Sequence, residues 1–194
     1  FVAADSIAQA QVGRRFLPLV GAESVAEHDQ LLAELPDLDQ YGIFLLGVLT
    51  AQLLRERGLA FDVVAGHSFG ELSALAVSGA LDLESGLTLV GQRILALQTV
   101  GTGSGAMAAL ACDEQRTRAY LDSLPVPGPA VAVVNHPKQT VVSGPLPAIA
   151  TLLQDLPTQG IAVTLLGSRY PFHSPWLAAA VGPFAVGITR ITAR

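Results

Sequence analysis

Residues 63–76 read Val-Val-Ala-Gly-His-Ser-Phe-Gly-Glu-Leu-Ser-Ala-Leu-Ala, and no other stretch constrains the fold so tightly. A β-branched apolar run ends in Gly66-His67-Ser68-Phe69-Gly70, and a small-residue helical segment follows at once. This is the Gly-x-Ser-x-Gly pattern of a nucleophile elbow, in which a strand feeds a sharp turn with the serine at its strained apex. The helix that follows aims its first amides at the place where an oxyanion on an attacked carbonyl would form. A plain strand-turn-helix corner with an incidental serine is the bland alternative. The strand-before, helix-after context favours a catalytic Ser68.

The chain has 194 residues, half of them apolar, which is enough to bury a core as one domain or one domain with an insertion. Its net charge of −5 and the lack of a basic stripe argue against nucleic acid as a partner. The single cysteine, Cys112, excludes an internal disulfide and reads as a small buried hydrophobe in a reducing compartment. The longest apolar run, Tyr41 to Leu54, is broken by Gln52 and too short to span a bilayer, and no signal peptide is visible. A soluble cytoplasmic protein without membrane contacts is expected.

Along the chain, Glu23 to Leu35 reads as an acidic surface helix stopped by Pro36. Ile43, Leu45, Leu46, Leu49, Leu53 and Leu54 recur at helical spacing between Asp39 and Gly58, with the glycine as C-cap. A strand over Phe61–Ala65 is expected before the elbow, then a helix from Glu71 to Val77 broken by Ser78-Gly79. Asp82 or Glu84 can cap a long helix reaching Val100. Gly101-Thr102-Gly103-Ser104-Gly105 then marks a hinge-like boundary. Beyond it come a strand over 106–111, a helix over 114–124, strands over 131–134 and 140–143, a helix over 146–156 and a strand over 161–166. That βαββαβ order is the ferredoxin-like signature. The expected division is a large subdomain over 1–103, a ferredoxin-like one over 104–166, and a return to the large subdomain over 167–194.

Two further residues carry chemistry. Arg93 sits among apolar residues of the long helix; it is either snorkelling or salt-bridged, or a clamp whose planar fork binds a carboxylate with fixed geometry. His173, between Phe172 and Ser174, is a candidate general base, since an imidazole titrates near neutrality. His28, His67 and His136 carry the plainer reading of hydrogen-bonded structural residues. No His/Cys/Asp cluster has metal-ligand spacing.

Taken together, Gly66-His67-Ser68-Phe69-Gly70-Glu71, Gly91-Gln92-Arg93 with Gln98, Gly105-Ala106-Met107-Ala108, Asn135-His136-Pro137 with Val141-Val142-Ser143-Gly144, and Phe172-His173-Ser174 resemble the malonyl-CoA:acyl carrier protein transacylases and the acyltransferase domains of polyketide and fatty acid synthases. The motifs occur in the family's order, Arg93 follows Ser68 by 25 residues as in the family, and the resemblance runs from about residue 40 to 180. The resemblance implies an α/β-hydrolase-like large subdomain with an inserted ferredoxin-like small subdomain. It implies Ser68 as the acyl-accepting nucleophile, His173 as its base and the Phe69 amide as an oxyanion-hole donor. Arg93, His67, Asn135 and Phe172 fall in its substrate-binding motifs, with Arg93 pairing the free carboxylate of the extender unit. Phe172 before the histidine resembles malonyl-selecting members, where a smaller residue would leave room for a methyl branch; such discrimination is worth about 1–3 kcal/mol. Two departures stand out. Gln9 and Gln11 lack the glycines of the family's opening Gly-Gln-Gly-Ser-Gln loop, and a segment that follows the family's histidine has no counterpart.

The implied reaction is a ping-pong transfer (EC class 2.3.1) of malonyl from CoA to the phosphopantetheine thiol of an acyl carrier protein, through an ester on Ser68. Neither a metal nor a bound cofactor is needed; the CoA thioester is substrate, the carrier protein is the partner, and other synthase domains in the same polypeptide are possible partners too. Arg14, Arg15, Arg55 and Arg57 are the cations available to meet an acidic carrier protein. Two other readings stand beside it. A serine thioester hydrolase would want an acid between serine and histidine, for which Asp155 is placed only within the insert, and would lack Arg93. A non-catalytic synthase segment would account for the missing loop.

Overall fold

The computed structural model describes residues 1–34, 37–101, 103, 105–124 and 128–193. Two compact units result, one formed by 1–95 with 184–194 and the other by 96–183.

The first unit is helical. Helices α1 (Val2–Val12), α2 (Leu17–Val20), α3 (Val25–Glu34), α4 (Asp39–Glu56), α5 (Gly70–Val77) and α6 (Leu83–Gln98) follow in order. Its core joins Ala4 and Ala8 of α1, Phe16 and Leu19, Tyr41, Phe44 and Leu45 of α4, and Leu87, Val90 and Ile94 of α6. The rings of Phe16 and Tyr41 stack at 5.5 Å. The sequence pattern does not announce α1 and α2; a buried aspartate holds them together. Asp5, 2% exposed, accepts from the amides of Phe16 and Leu17 at 2.9 Å and pairs with Arg15 at 3.1 Å. It thereby supplies acceptors for amides at the start of α2.

The expected surface helix is α3, with no buried residue, and its stop at Pro36 lies outside the described residues. Helix α4 ends as expected: Gly58 at φ +85 lets its own amide and that of Leu59 bond back to the Arg55 and Leu54 carbonyls, closing a Schellman motif. Of the six expected apolar positions, however, Leu45 is buried and Leu49 half-buried, while Ile43, Leu46, Leu53 and Leu54 are exposed. Asp82 caps α6, accepting from the Ser85 amide at 2.8 Å.

The strand expected over Phe61–Ala65 is a correction. The chain there is irregular, and the described residues of this unit contain no strand to pair with it. A strand exists only through a partner for its amides and carbonyls, and β-branched sequence alone does not provide one.

The second unit carries a four-stranded antiparallel sheet from β1 (Ala106–Leu110), β2 (Ala130–His136), β3 (Gln139–Gly144) and β4 (Val163–Leu165), in the order β2-β3-β1-β4. Helices α7 (Glu114–Asp122) and α8 (Leu146–Thr158) connect β1 to β2 and β3 to β4, completing βαββαβ. The central pair β1–β3 aligns Ala108 with Val142. Ala106, Ala108 and Leu110 alternate into a core with Val142 and with Ile149, Leu152 and Leu156, one stripe of α8. Asp113 caps α7 through the Arg116 amide, and Cys112 is free and buried. The strand expected over 161–166 is reduced to Val163–Leu165, and α8 runs two residues past the expected end at Leu156, through Pro157. Thr102 and Ser104 of the expected hinge lie outside the described residues. A 3-10 turn (Pro175–Leu177) and α9 (Ala178–Gly187) follow.

Candidate active site

Ser68 is where the local sequence meets strained geometry. Its φ is +53, in the left-handed region that a non-glycine residue enters only under constraint. The constraint is the immediate start of α5. The amides of Gly70, Glu71 and Leu72 donate to the carbonyls of His67, Ser68 and Phe69 at 3.0–3.1 Å, tightening the turn into the helix. Gly66 is required by close approach, because a Cβ there would collide with the backbone of Gly70 and Glu71. Gly70 has no such neighbour. Ser68 is thus half-buried at the N-terminal end of a helix, with the Phe69 amide leading the turn and the positive end of the helix dipole beside it. His67 is exposed.

Arg93, half-buried on α6, belongs to the same unit. Its guanidinium carbon lies 5.2 Å from the centre of the Phe69 ring, which places a permanent cation next to the residue that follows Ser68. Gln40 Oε1 accepts from Arg93 Nη1. Gln40 was not among the expected site residues. The available signal was a lone amide at a position of α4 flanked by Tyr41, Phe44 and Leu45, where apolar residues are the rule.

Asn135, Phe172 and His173 are carried by the second unit. His173 is exposed and, like Ser68, has positive φ, +58. The chain before it is pinned by side chains: Ser143 on β3 donates to the Phe172 carbonyl at 2.7 Å, and Ser168 donates to the Tyr170 carbonyl at 2.7 Å. Phe172 is half-buried, its ring tilted against Tyr170 at 5.6 Å. Asn135 is exposed at the end of β2, where its amide donates to Gln139 across the hairpin at 2.8 Å. The structure therefore brings Phe69 and Arg93 together in one unit and Phe172 and His173 together in the other.

Asp155, the acid that a hydrolase order would call on, lies on the exposed side of α8 and accepts from the Tyr120 hydroxyl at 3.1 Å. Burial and this bond push the Tyr120 phenol up. Three of the four arginines considered for a carrier protein have local partners: Arg15 with Asp5, Arg14 with the Glu34 carbonyl, and Arg55 with the Val77 carbonyl and the Phe61 ring. Among the described residues no group of three metal-ligating side chains occurs, and no helix is long and apolar enough to cross a membrane.

The acyl transferase domain family matches residues 18–194. The mycoketide-CoA synthase of Mycobacterium tuberculosis is 35% identical over 158 residues, which cover 81% of this chain and 4% of the synthase. The acyltransferase domain from the second module of the salinomycin polyketide synthase superposes with a TM-score of 0.80 at 28% identity, over 100% of this chain and 44% of the domain. The malonyl CoA-acyl carrier protein transacylase of Coxiella burnetii superposes with a TM-score of 0.82 at 25% identity, over 99% and 61%.

Proposed function

The chain belongs to the acyl transferase domain family, and on that premise we propose that it transfers a malonyl extender unit from CoA to the phosphopantetheine thiol of an acyl carrier protein. Ser68 is the acyl acceptor. The His173 imidazole takes its proton as Oγ attacks the thioester carbonyl. The tetrahedral intermediate collapses with cleavage of the C–S bond, and the imidazolium returns the proton to the departing CoA sulfur. The Phe69 amide and the N-terminus of α5 stabilise the intermediate's oxyanion. The malonyl ester waits with its carboxylate on Arg93. The carrier protein's thiol then gives its proton to His173, attacks the ester, and Ser68 leaves with that proton. His67, Asn135 and Phe172 line the acyl site, with Phe172 limiting room for a branch. The division at 103/104 and 166/167 separates the part bearing Ser68 and Arg93 from the insert and from the part bearing His173. The carrier protein and neighbouring synthase domains are the partners, neither nucleic acid nor membrane is, and the cytoplasm is the compartment, in keeping with a free buried cysteine.

The observation that carries this reading is the cation beside the elbow, the Arg93 guanidinium 5.2 Å from the ring of the residue after Ser68. A hydrolase of neutral acyl groups has no use for a charge there, whereas a malonyl ester brings a carboxylate that needs one. The test is intact mass after brief incubation with malonyl-CoA or acetyl-CoA. A malonyl adduct is expected on the wild type, absent from Ser68→Ala, and exchanged for acetyl preference in Arg93→Ala. A malonyl adduct that survives Ser68→Ala, or a wild type that takes up neither group, overturns the reading.

A further inference from the structure

We infer that Ser143, with Ser168 and Ser174, is a positioning residue for His173: the three hydroxyls hold the carbonyls of Phe172, Tyr170 and Pro171 and so fix the peptide from which the imidazole projects. The inference rests on the reading of His173 as the base. Residues 166–174 form neither helix nor strand, so their backbone groups have no ladder to join and must be ordered by other partners. Three carbonyls in a row accept from serine side chains. Ser168 donates to Tyr170 at 2.7 Å, Ser174 to Pro171 at 2.6 Å and Ser143 to Phe172 at 2.7 Å. Ser168 also accepts from the Tyr170 amide at 3.3 Å. Ser168 and Ser174 lie within the segment and tighten it, whereas Ser143 comes from β3 and anchors it to the sheet.

Ser143 is the informative member. On β3 it alternates to the face opposite Val142, the neighbour that packs with α8. It is 0% exposed. A hydroxyl so completely buried is costly unless it is hydrogen-bonded, and its bond goes to the Phe172 carbonyl. That oxygen shares one rigid plane with the nitrogen and Cα of His173. Holding it fixes the axis about which φ of His173 turns. This φ is +58, a region that a non-glycine residue keeps only when its surroundings enforce it. Packing supports the same stretch from the other side. Pro171 is buried, and a Cβ at Gly105 would collide with its ring and with the Gly144 carbonyl. Gly105, just before β1, thus admits Pro171 while Ser143 holds the next residue.

Two readouts separate positioning from bulk stability. The first is the NMR order parameter of the His173 backbone amide, which lies in the plane that Ser143 holds. It is expected near the rigid value of about 0.85 in the wild type and below about 0.6 in Ser143→Ala. The second is acylation by malonyl-CoA, followed by intact mass. Its saturating rate is expected to fall about tenfold in Ser143→Ala with the half-saturating concentration unchanged, because the base is displaced while the Phe172 ring stays against Tyr170. Ser174→Ala should lower the rate likewise, and Ser174→Thr, which keeps the hydroxyl, should restore it. A purely structural role would lower the unfolding temperature and leave the saturating rate and the His173 amide as they are. Wild-type order at that amide in Ser143→Ala, or a wild-type saturating rate in both alanine variants, overturns the inference. If Ser143→Ala does not fold, the Ser174 pair decides: loss with alanine and recovery with threonine support the inference, and equal rates overturn it. A wild type that takes up no acyl group refutes the proposed function instead, and the amide comparison still decides whether Ser143 holds the His173 peptide.

Discussion

At Ser68 a side chain with a Cβ is held at φ +53, where a glycine would rest without strain. Such strain persists only where the surrounding structure enforces it, here the start of α5 and the close approach at Gly66. Two consequences can be measured. Ser68→Gly should unfold at higher urea than Ser68→Ala, by about 1 kcal/mol, because both lack the hydroxyl and only the alanine keeps the strained Cβ. Gly66→Ala should lose more than about 2 kcal/mol, since its methyl meets backbone and not a movable side-chain end. The Gly-x-Ser-x-Gly spacing makes both the positive φ and the tight first glycine legible in the sequence. What it does not reveal is that the second glycine, Gly70, has open space around it, so that only one of the pair is needed for packing.

Among the elements, α4 shows how one helix serves several purposes through two faces. One stripe packs into the core through Tyr41, Phe44 and Leu45, and Gln40 at its start reaches Arg93. The Tyr41 hydroxyl bonds Gln11, and burial pushes its phenol well up. In the unfolded chain this phenol ionises near pH 10, whereas the folded chain keeps it neutral above that. Stability is therefore full below about pH 10 and declines as pH rises beyond it, and Tyr41→Phe should reduce that alkaline decline in a urea titration. The same variant should cost about 1 kcal/mol at neutral pH, because Gln11 loses its donor. In the other unit, Leu152 on the buried stripe of α8 is fully enclosed, and Leu152→Ala should cost about 2–5 kcal/mol. The elements of that unit were legible in type and order, with ends shifted by one or two residues, because capping Asp113, alternating strands and the helical stripe of α8 are all local signals.

Over the whole chain, the exposed face of α4 matters most. Ile43, Leu46 and Leu53 share it, exposed by half or more, and Val63 in the segment before the elbow is 81% exposed. This is also the segment whose expected strand finds no partner among the described residues. In both places apolar and β-branched sequence is present, and among the described residues nothing covers or pairs it. The paired variant Leu46→Lys/Leu53→Lys should raise the solubility of this chain while moving its unfolding free energy by less than about 1 kcal/mol, as exposed positions do. A large loss of stability would show that these leucines are packed after all.

Sequence by itself determined the elements whose signals are local: the turn at Ser68, a cap for α6 at Asp82 or Glu84, the Gly58 stop, and the βαββαβ order with its alternating cores. It also contained the Ser68-to-Arg93 interval and the ordered motifs, Phe172-His173-Ser174 among them, that resemble the family. Tertiary structure alone decided which stripe of α4 is buried and whether residues 61–65 have a strand to pair with. Only it brought Gln40, 53 positions away in sequence, onto Arg93. The reason is physical: a cap or turn is satisfied within a few residues, so its chemistry is written locally. Burial and pairing depend on what another segment brings, and an isolated helix or strand carries no record of its partner.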